Sequence, residues 1–163
     1  MSWIQIWKKS KHFYGWRNIQ KACNSLCVKY DHPLPERIVA LARGGLVPAT
    51  IIASKLGVRH IHSLGLCSYD YHLDGTESPG AFDLYQRLPT NSTKLDYDKT
   101  VLLIDDISDR GDTFSYAKSY VKDMVGGNVI TMSIILKPKS KFVPDYYHEV
   151  VDQDKWVVFP WER

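Results

Sequence analysis

Cysteine is scarce in this chain, with three in 163 residues: Cys23, Cys27 and Cys67. So sparse and odd a set excludes a disulfide scaffold, and Cys23 and Cys27, four apart on a helical pattern, read as core residues rather than metal ligands. Long hydrophobic runs are missing too. No apolar stretch approaches the ~20 residues that a membrane-spanning helix needs. At the N-terminus Lys8, Lys9 and Lys11 follow only a short apolar stretch, the reverse of a signal peptide. Cytoplasmic residence, with no membrane partner, is the resulting expectation. Neither sign of charge dominates: 21 Lys and Arg against 18 Asp and Glu leave a net +3. That balance permits an RNA or anionic partner without demanding one, and no stripe of aromatic and Arg residues marks a nucleic-acid module. Lys137, Lys139 and Lys141 form a basic cluster that reads as a solvated turn. Internal repeats and low-complexity segments are absent.

What is present fits one domain over residues 1–163. The 44% hydrophobic content is ordinary for a globular protein and the length suffices to bury a core. The pattern predicts a helix over 16–30, a strand over 38–42, a helix over 49–56 and a strand over 58–66. A long polar segment follows, then a strand over 101–104, a helix from about 114, and strands over 128–136 and 148–151. That alternation predicts an α/β fold, a mainly parallel sheet flanked by helices on both faces. The segment between Asp70 and Thr100 holds Gly75, Pro79, Gly80 and Pro89 and lacks sustained periodicity. It is too long for a plain connection and reads as a lid, with a disordered insertion or a β-hairpin for oligomer contact as the alternatives.

Two phrases carry chemistry. In the first, the apolar run Val101-Leu102-Leu103-Ile104 leads straight into Asp105-Asp106, followed by Ile107-Ser108-Asp109-Arg110-Gly111-Asp112-Thr113. A buried strand is expected to stop before the two carboxylates, at the strand end where open α/β sheets put their ligands. Adjacent carboxylates repel each other and need a cation, hydroxyl groups or solvent. The small and hydroxylated residues after them open a helical pattern whose first N–H groups suit a phosphate, although Asp112 or Thr113 would equally serve as a plain helix cap. The second phrase, Leu41-Ala42-Arg43-Gly44-Gly45-Leu46-Val47-Pro48, again joins an apolar strand to a helix, and its paired glycines let the backbone approach an anion.

On these residues the sequence resembles the type I phosphoribosyltransferases, and among them most of all the bacterial xanthine-guanine phosphoribosyltransferases. The 105–113 phrase resembles the family's phosphoribosyl pyrophosphate loop, and Arg43-Gly44-Gly45-Leu46-Val47-Pro48 its pyrophosphate loop. Ser68-Tyr69-Asp70 resembles the start of a mobile hood, here about 68–99. Lys137-Pro138, Gln153-Asp154-Lys155-Trp156-Val157 and Pro160-Trp161 resemble purine-binding elements. Agreement of several separated phrases in one order is far more specific than any single motif.

The resemblance implies roles. Asp105 and Asp106 would accept hydrogen bonds from ribose hydroxyls and help to hold Mg2+, and their negative charge would stabilise an oxocarbenium-like ribose. Asp109 would be the general base at purine N7, unless it is a loop residue bonded to its own backbone. Arg110, Gly111, Asp112 and Thr113 would surround the 5′-phosphate. Relatives often carry Thr or Ser in place of Arg110 and Gly or Lys in place of Asp112, so Arg110 would add a phosphate contact while the Asp112 carboxylate turns away. Arg43 and Gly44 would meet pyrophosphate in a loop that in the family often holds a cis peptide. Lys137 would donate to the O6 of guanine, xanthine or hypoxanthine, Trp156 would stack on the base, and the Val157 carbonyl would accept from a 2-amino group. The hood is longer than in those relatives and lacks the Arg that follows their Ser-Tyr-Asp, leaving Arg87 as the substitute pyrophosphate contact. The implied activity is a pentosyltransferase of purine salvage: a purine base plus phosphoribosyl pyrophosphate, with Mg2+, in a homo-oligomer (dimer or tetramer). The alternatives are a nucleotide-sensing RNA-binding regulator on the same fold, which would have no use for Lys137 with Trp156, or a phosphoribosyltransferase for another base.

Overall fold

The computed structural model describes residues 10–69, 81–89 and 99–162. Along them run strand β1 (Ser10–Phe13), helix α1 (Trp16–Lys29), β2 (Arg37–Ala42), α2 (Leu46–Leu56), β3 (His60–Tyr69) and β4 (Ala81–Gln86). β5 (Thr100–Ser108), α3 (Asp112–Val125), β6 (Asn128–Leu136), β7 (Tyr146–Val150), β8 (Lys155–Val158) and a 3-10 turn (Pro160–Glu162) complete the order. Six strands form one sheet in the order β4-β3-β2-β5-β6-β7. All its pairings are parallel except β3 with β4.

β2 and β5 are apolar throughout because both faces of the sheet are covered. Side chains alternate along a strand, so Ile38, Ala40, Leu102 and Ile104 pack with Ile19, Ala22, Cys23 and Leu26 of α1 and Ala49, Ile52 and Ala53 of α2. Val39, Leu41, Val101 and Leu103 pack on the other face against Phe114, Ala117, Val121 and Val125 of α3. Each helix offers its apolar residues at three- and four-residue spacing, the stripe that a sheet face buries. The expected α/β layering is therefore the architecture.

Four local expectations change. β5 does not stop at Ile104. Its pairing with β6 continues through Asp105↔Ser133, Ile107↔Ile135 and Ser108↔Leu136, and a ready partner strand outweighs the poor strand preference of Asp. The two carboxylates thus sit within a strand rather than after it. α2 begins at Leu46, three residues before the expected start, because Pro48 lies in the first turn, where its missing N–H costs nothing. The segment expected to be a lid contains β4, an antiparallel edge strand; residues 70–80 and 90–98 of the 68–99 hood lie outside the described residues. Finally, β1 and β8, four residues each, form a separate parallel two-stranded sheet with His12 opposite Val157, which no local periodicity announces.

Candidate active site

The site is assembled where β2 and β5 end. After β2 the chain turns through a cis Ala42–Arg43 peptide bond into Gly44 and Gly45. A Cβ on Gly44 would lie 2.3 Å from Asp106 Oδ2, and one on Gly45 would lie 2.3 Å from the Ile104 carbonyl and 2.8 Å from that of Leu41. Both glycines therefore let this turn lie directly against β5. Tyr85 of β4 donates its hydroxyl to the Ala42 carbonyl at 3.2 Å.

Asp106 is buried and Asp105 half-buried. Burial, and then the charge of neighbouring Asp106, pushes the Asp105 pKa well above the usual carboxylate range. Burial followed by the charge of Glu162 raises Asp106 to about 7. The Asp106 N–H donates to Asp105 Oδ1 at 2.9 Å. Beside Asp106 stands the indole of Trp161, stacked on Phe159 with centroids 4.8 Å apart. Its buried N–H makes no hydrogen bond of ordinary geometry among the described residues, yet it lies near enough to lower the Asp106 pKa against those two effects.

Beyond β5 the chain is fastened from behind. Ser108 is buried and donates to the Phe142 carbonyl at 2.8 Å, and the Lys141 N–H donates to the Arg110 carbonyl at 2.9 Å. Gly111 has φ +88°, and a Cβ there would meet the Phe142 nitrogen at 2.4 Å, so only glycine fits the turn into α3. Neither Asp112 nor Thr113 caps the helix, whose cap residue is Gly111. The Asp112 carboxylate is held between Arg110 (3.3 Å) and Lys141 (3.6 Å), and Thr113 is half-buried.

The expected solvated lysine turn is not one. Lys139 and Lys141 are exposed, but Lys137 is 3% exposed, and its ammonium donates to the Asp152 carbonyl at 2.7 Å and the Lys155 carbonyl at 2.5 Å. A buried ammonium requires such acceptors. Gln153, between those two residues, donates to Asp109 Oδ1 at 3.1 Å, so Asp109 engages a distant side chain instead of only its own turn.

These elements enclose two cavities. One, of about 120 Å³, is lined by Asp106, Asp109, Lys137, Trp156, Val157 and Glu162 among others. The other, of about 530 Å³, is lined by Arg43, Gly44, Leu46, Val47, Asp106, Trp161 and Glu162. Asp106 and Glu162 are common to both. The fold thus brings Arg43, Gly44, Asp106, Asp109, Lys137, Trp156 and Val157 together around adjoining spaces, while Asp105, Arg110, Gly111, Asp112 and Thr113 line neither. Arg87 is exposed just after β4 and lines neither cavity. Glu162 and Phe159 also line the smaller cavity, and no motif in the sequence points to either. Glu162 accepts the Phe159 N–H at 2.8 Å across the 3-10 turn, a local pairing for which Pro160 is the only cue in the sequence. Among the described residues no group of three or more His, Cys, Asp or Glu is arranged to hold a metal ion.

A family model described as a phosphoribosyl transferase domain matches residues 11–162. The chain belongs to that family. It is 28% identical over 162 residues to a xanthine-guanine phosphoribosyltransferase of Desulfotalea psychrophila, covering 99% of this chain and 84% of the relative. The crystal structure of a purine phosphoribosyltransferase from Pyrococcus horikoshii superposes with a TM-score of 0.78 at 28% identity, over 94% of this chain and 95% of that one. A xanthine-guanine-hypoxanthine phosphoribosyltransferase from Helicobacter pylori gives 0.76 at 22% identity over 93% and 94%, a likeness of fold. Within this phosphoribosyltransferase the two phrases that resemble the family's loops meet at the larger cavity, where Arg43, Gly44, Leu46 and Val47 face Asp106, while Asp106 and Asp109 reach the smaller one.

Proposed function

We propose that this phosphoribosyltransferase transfers the phosphoribosyl group of phosphoribosyl pyrophosphate to a ring nitrogen of a 6-oxopurine, releasing pyrophosphate and making a nucleoside 5′-monophosphate for purine salvage. The observation that carries this reading is the smaller cavity, where Lys137, Trp156 and Val157 line the same space as Asp106 and Asp109. A buried ammonium offers only donors, matching the O6 of guanine, hypoxanthine or xanthine and opposing the amino group of adenine. Trp156 supplies a stacking face and Val157 a carbonyl.

In this reading Asp109 takes or shares the N7 proton as the new C–N bond forms and the C–O bond to pyrophosphate breaks. Asp105 and Asp106 accept hydrogen bonds from the ribose hydroxyls and stabilise positive charge growing on the ribose, because their position is set before the reaction. Arg43, Gly44 and the larger cavity receive pyrophosphate, with Arg87 as a further contact from the 68–99 hood. Arg110, Gly111, Asp112 and Thr113 surround the 5′-phosphate, which the N–H groups at the start of α3 attract. Mg2+ fits Asp105 and Asp106: burial and like charge hold both above the usual carboxylate range, so a cation relieves them, and an ion bound by one or two carboxylates takes its remaining ligands from water and substrate oxygens. Bound there, it would neutralise charge on the departing pyrophosphate. Cytoplasmic residence agrees with the reduced thiols of Cys23 and Cys27, and a homo-oligomer, dimer or tetramer, is the proposed assembly.

Turnover with guanine, hypoxanthine, xanthine, adenine and uracil, each with phosphoribosyl pyrophosphate and Mg2+, tests the reading. The expected result is use of the three oxopurines and little use of adenine or uracil; preference for adenine or uracil would refute it. Asp109→Asn is expected to bind substrates normally and to lower kcat by roughly 10²–10⁴-fold.

A further inference from the structure

We infer that Gln153 is a positioning residue for the transfer reaction, holding the Asp109 carboxylate and tying it to the elements that line the purine cavity. This rests on the proposed role of Asp109 as the base at N7. Gln153 stands in the turn between β7 and β8, half-buried. Its Nε2 donates to Asp109 Oδ1 at 3.1 Å, and its Oε1 accepts the Lys139 N–H at 3.1 Å. The two partners fix the orientation of the amide, since a backbone N–H only donates and a carboxylate only accepts; a flipped amide would oppose donor to donor and acceptor to acceptor. One side chain therefore joins the segment after β5 to the turn after β6.

The same turn is anchored on both sides of Gln153, at the Asp152 and Lys155 carbonyls, by the Lys137 ammonium. Lys155 opens β8, which carries Trp156 and Val157. Asp109, Lys137 and the β8 residues arrive from three separate parts of the chain, and the hydrogen bonds converging on 152–155 set their spacing. Asp109 lies just beyond the strand end, where an unbraced carboxylate samples several rotamers. Engaging Oδ1 removes that freedom and leaves Oδ2 to meet the purine, and misplacement of a reacting group by about 1 Å costs up to ~10²-fold in rate.

A simple brace for the turn would need only the Oε1 contact to Lys139, which separates the two roles. Gln153→Glu keeps an acceptor for the Lys139 N–H but replaces the donor facing Asp109 with a carboxylate; Gln153→Met keeps the length and loses both bonds. For each, kcat with guanine is expected to fall about tenfold while KM for phosphoribosyl pyrophosphate stays within about twofold. In an Asp109→Asn background, Gln153→Met is expected to change kcat by less than about twofold, because a residue acting through Asp109 has nothing left to position. Wild-type kcat in Gln153→Glu, or an effect of Gln153→Met that multiplies with that of Asp109→Asn, overturns the inference alone. Full kcat in Asp109→Asn overturns the base assignment and this inference with it.

Discussion

Asp106 stands between the two cavities, and its protonation gives the clearest consequence at the scale of a single residue. Burial first, and Glu162 second, raise its pKa to about 7, against an ordinary Asp value of about 3.9 in an unfolded chain. Between those values the folded protein holds a proton that the unfolded chain has released. This group therefore favours folding on the acid side of that window and loses the contribution as pH rises through about 7. His148 acts in the opposite sense, its pKa lowered first by burial, but does so alike in wild type and variant. The part of the melting-temperature difference between pH 6 and pH 8 that Asp106→Asn abolishes should thus be a gain in stability at pH 6; an identical pH dependence in the two proteins would contradict it. Lys137 gives a second expectation. Lys137→Ala withdraws the donor proposed for O6, so kcat/KM for guanine and hypoxanthine should drop by about 10- to 100-fold with less change for adenine. Trp156→Ala should raise KM for all three purines alike. Steady-state kinetics with the three bases separates the two patterns, and an adenine-to-guanine ratio that moves with Trp156 but not with Lys137 would mean that the roles are misassigned.

The connection from β2 to α2 shows how one element shapes another. Because a Cβ on Gly44 would stand 2.3 Å from the Asp106 carboxylate, this turn and β5 are held at a separation that only glycine permits. Gly44→Ala must push the turn or the carboxylate aside. The sheet and its helices do not depend on that contact, so the far-ultraviolet circular dichroism should remain that of the wild type while affinity for phosphoribosyl pyrophosphate falls by about tenfold or more; calorimetric titration measures it, and unchanged affinity would remove Gly44 from the site. β5 itself reaches Asp105 and Asp106 as a strand because β6 is beside it through Ser108↔Leu136, so the acidic pair stands on an inner strand of the six-stranded sheet.

For the molecule as a whole, β1 braces the strand that carries two residues of the smaller cavity. β1 lies parallel to β8, the Tyr14 N–H donates to the Val158 carbonyl at 3.0 Å, and the Tyr14 hydroxyl donates to Glu149 of β7, so the small sheet is tied back to the large one. β8 carries Trp156 and Val157, hence removal of residues 1–13 should raise KM for guanine several-fold while leaving KM for phosphoribosyl pyrophosphate near its wild-type value. An unchanged KM for guanine would show that β8 holds its place without β1.

The sequence by itself determined the layering. Continuous apolar strands such as 38–42 and 101–104, alternating with helical stripes, require a sheet covered on both faces, and the acidic and glycine-rich phrases are local enough to be picked out as they stand. The order Asn128–Leu136 is legible to the residue because Gly126-Gly127 before it and Lys137-Pro138 after it interrupt the pattern. Tertiary structure alone decided what depends on partners far along the chain: that Asp105 and Asp106 lie inside β5, that Lys137 of a lysine triplet is buried while Lys139 and Lys141 are not, that four-residue segments 145 residues apart pair as β1 and β8, and that Gln153 meets Asp109. A side chain's own pattern reports which face it can bury, whereas hydrogen-bond partners and the neighbours that satisfy a buried charge are supplied by other segments, and only folding brings those segments within reach.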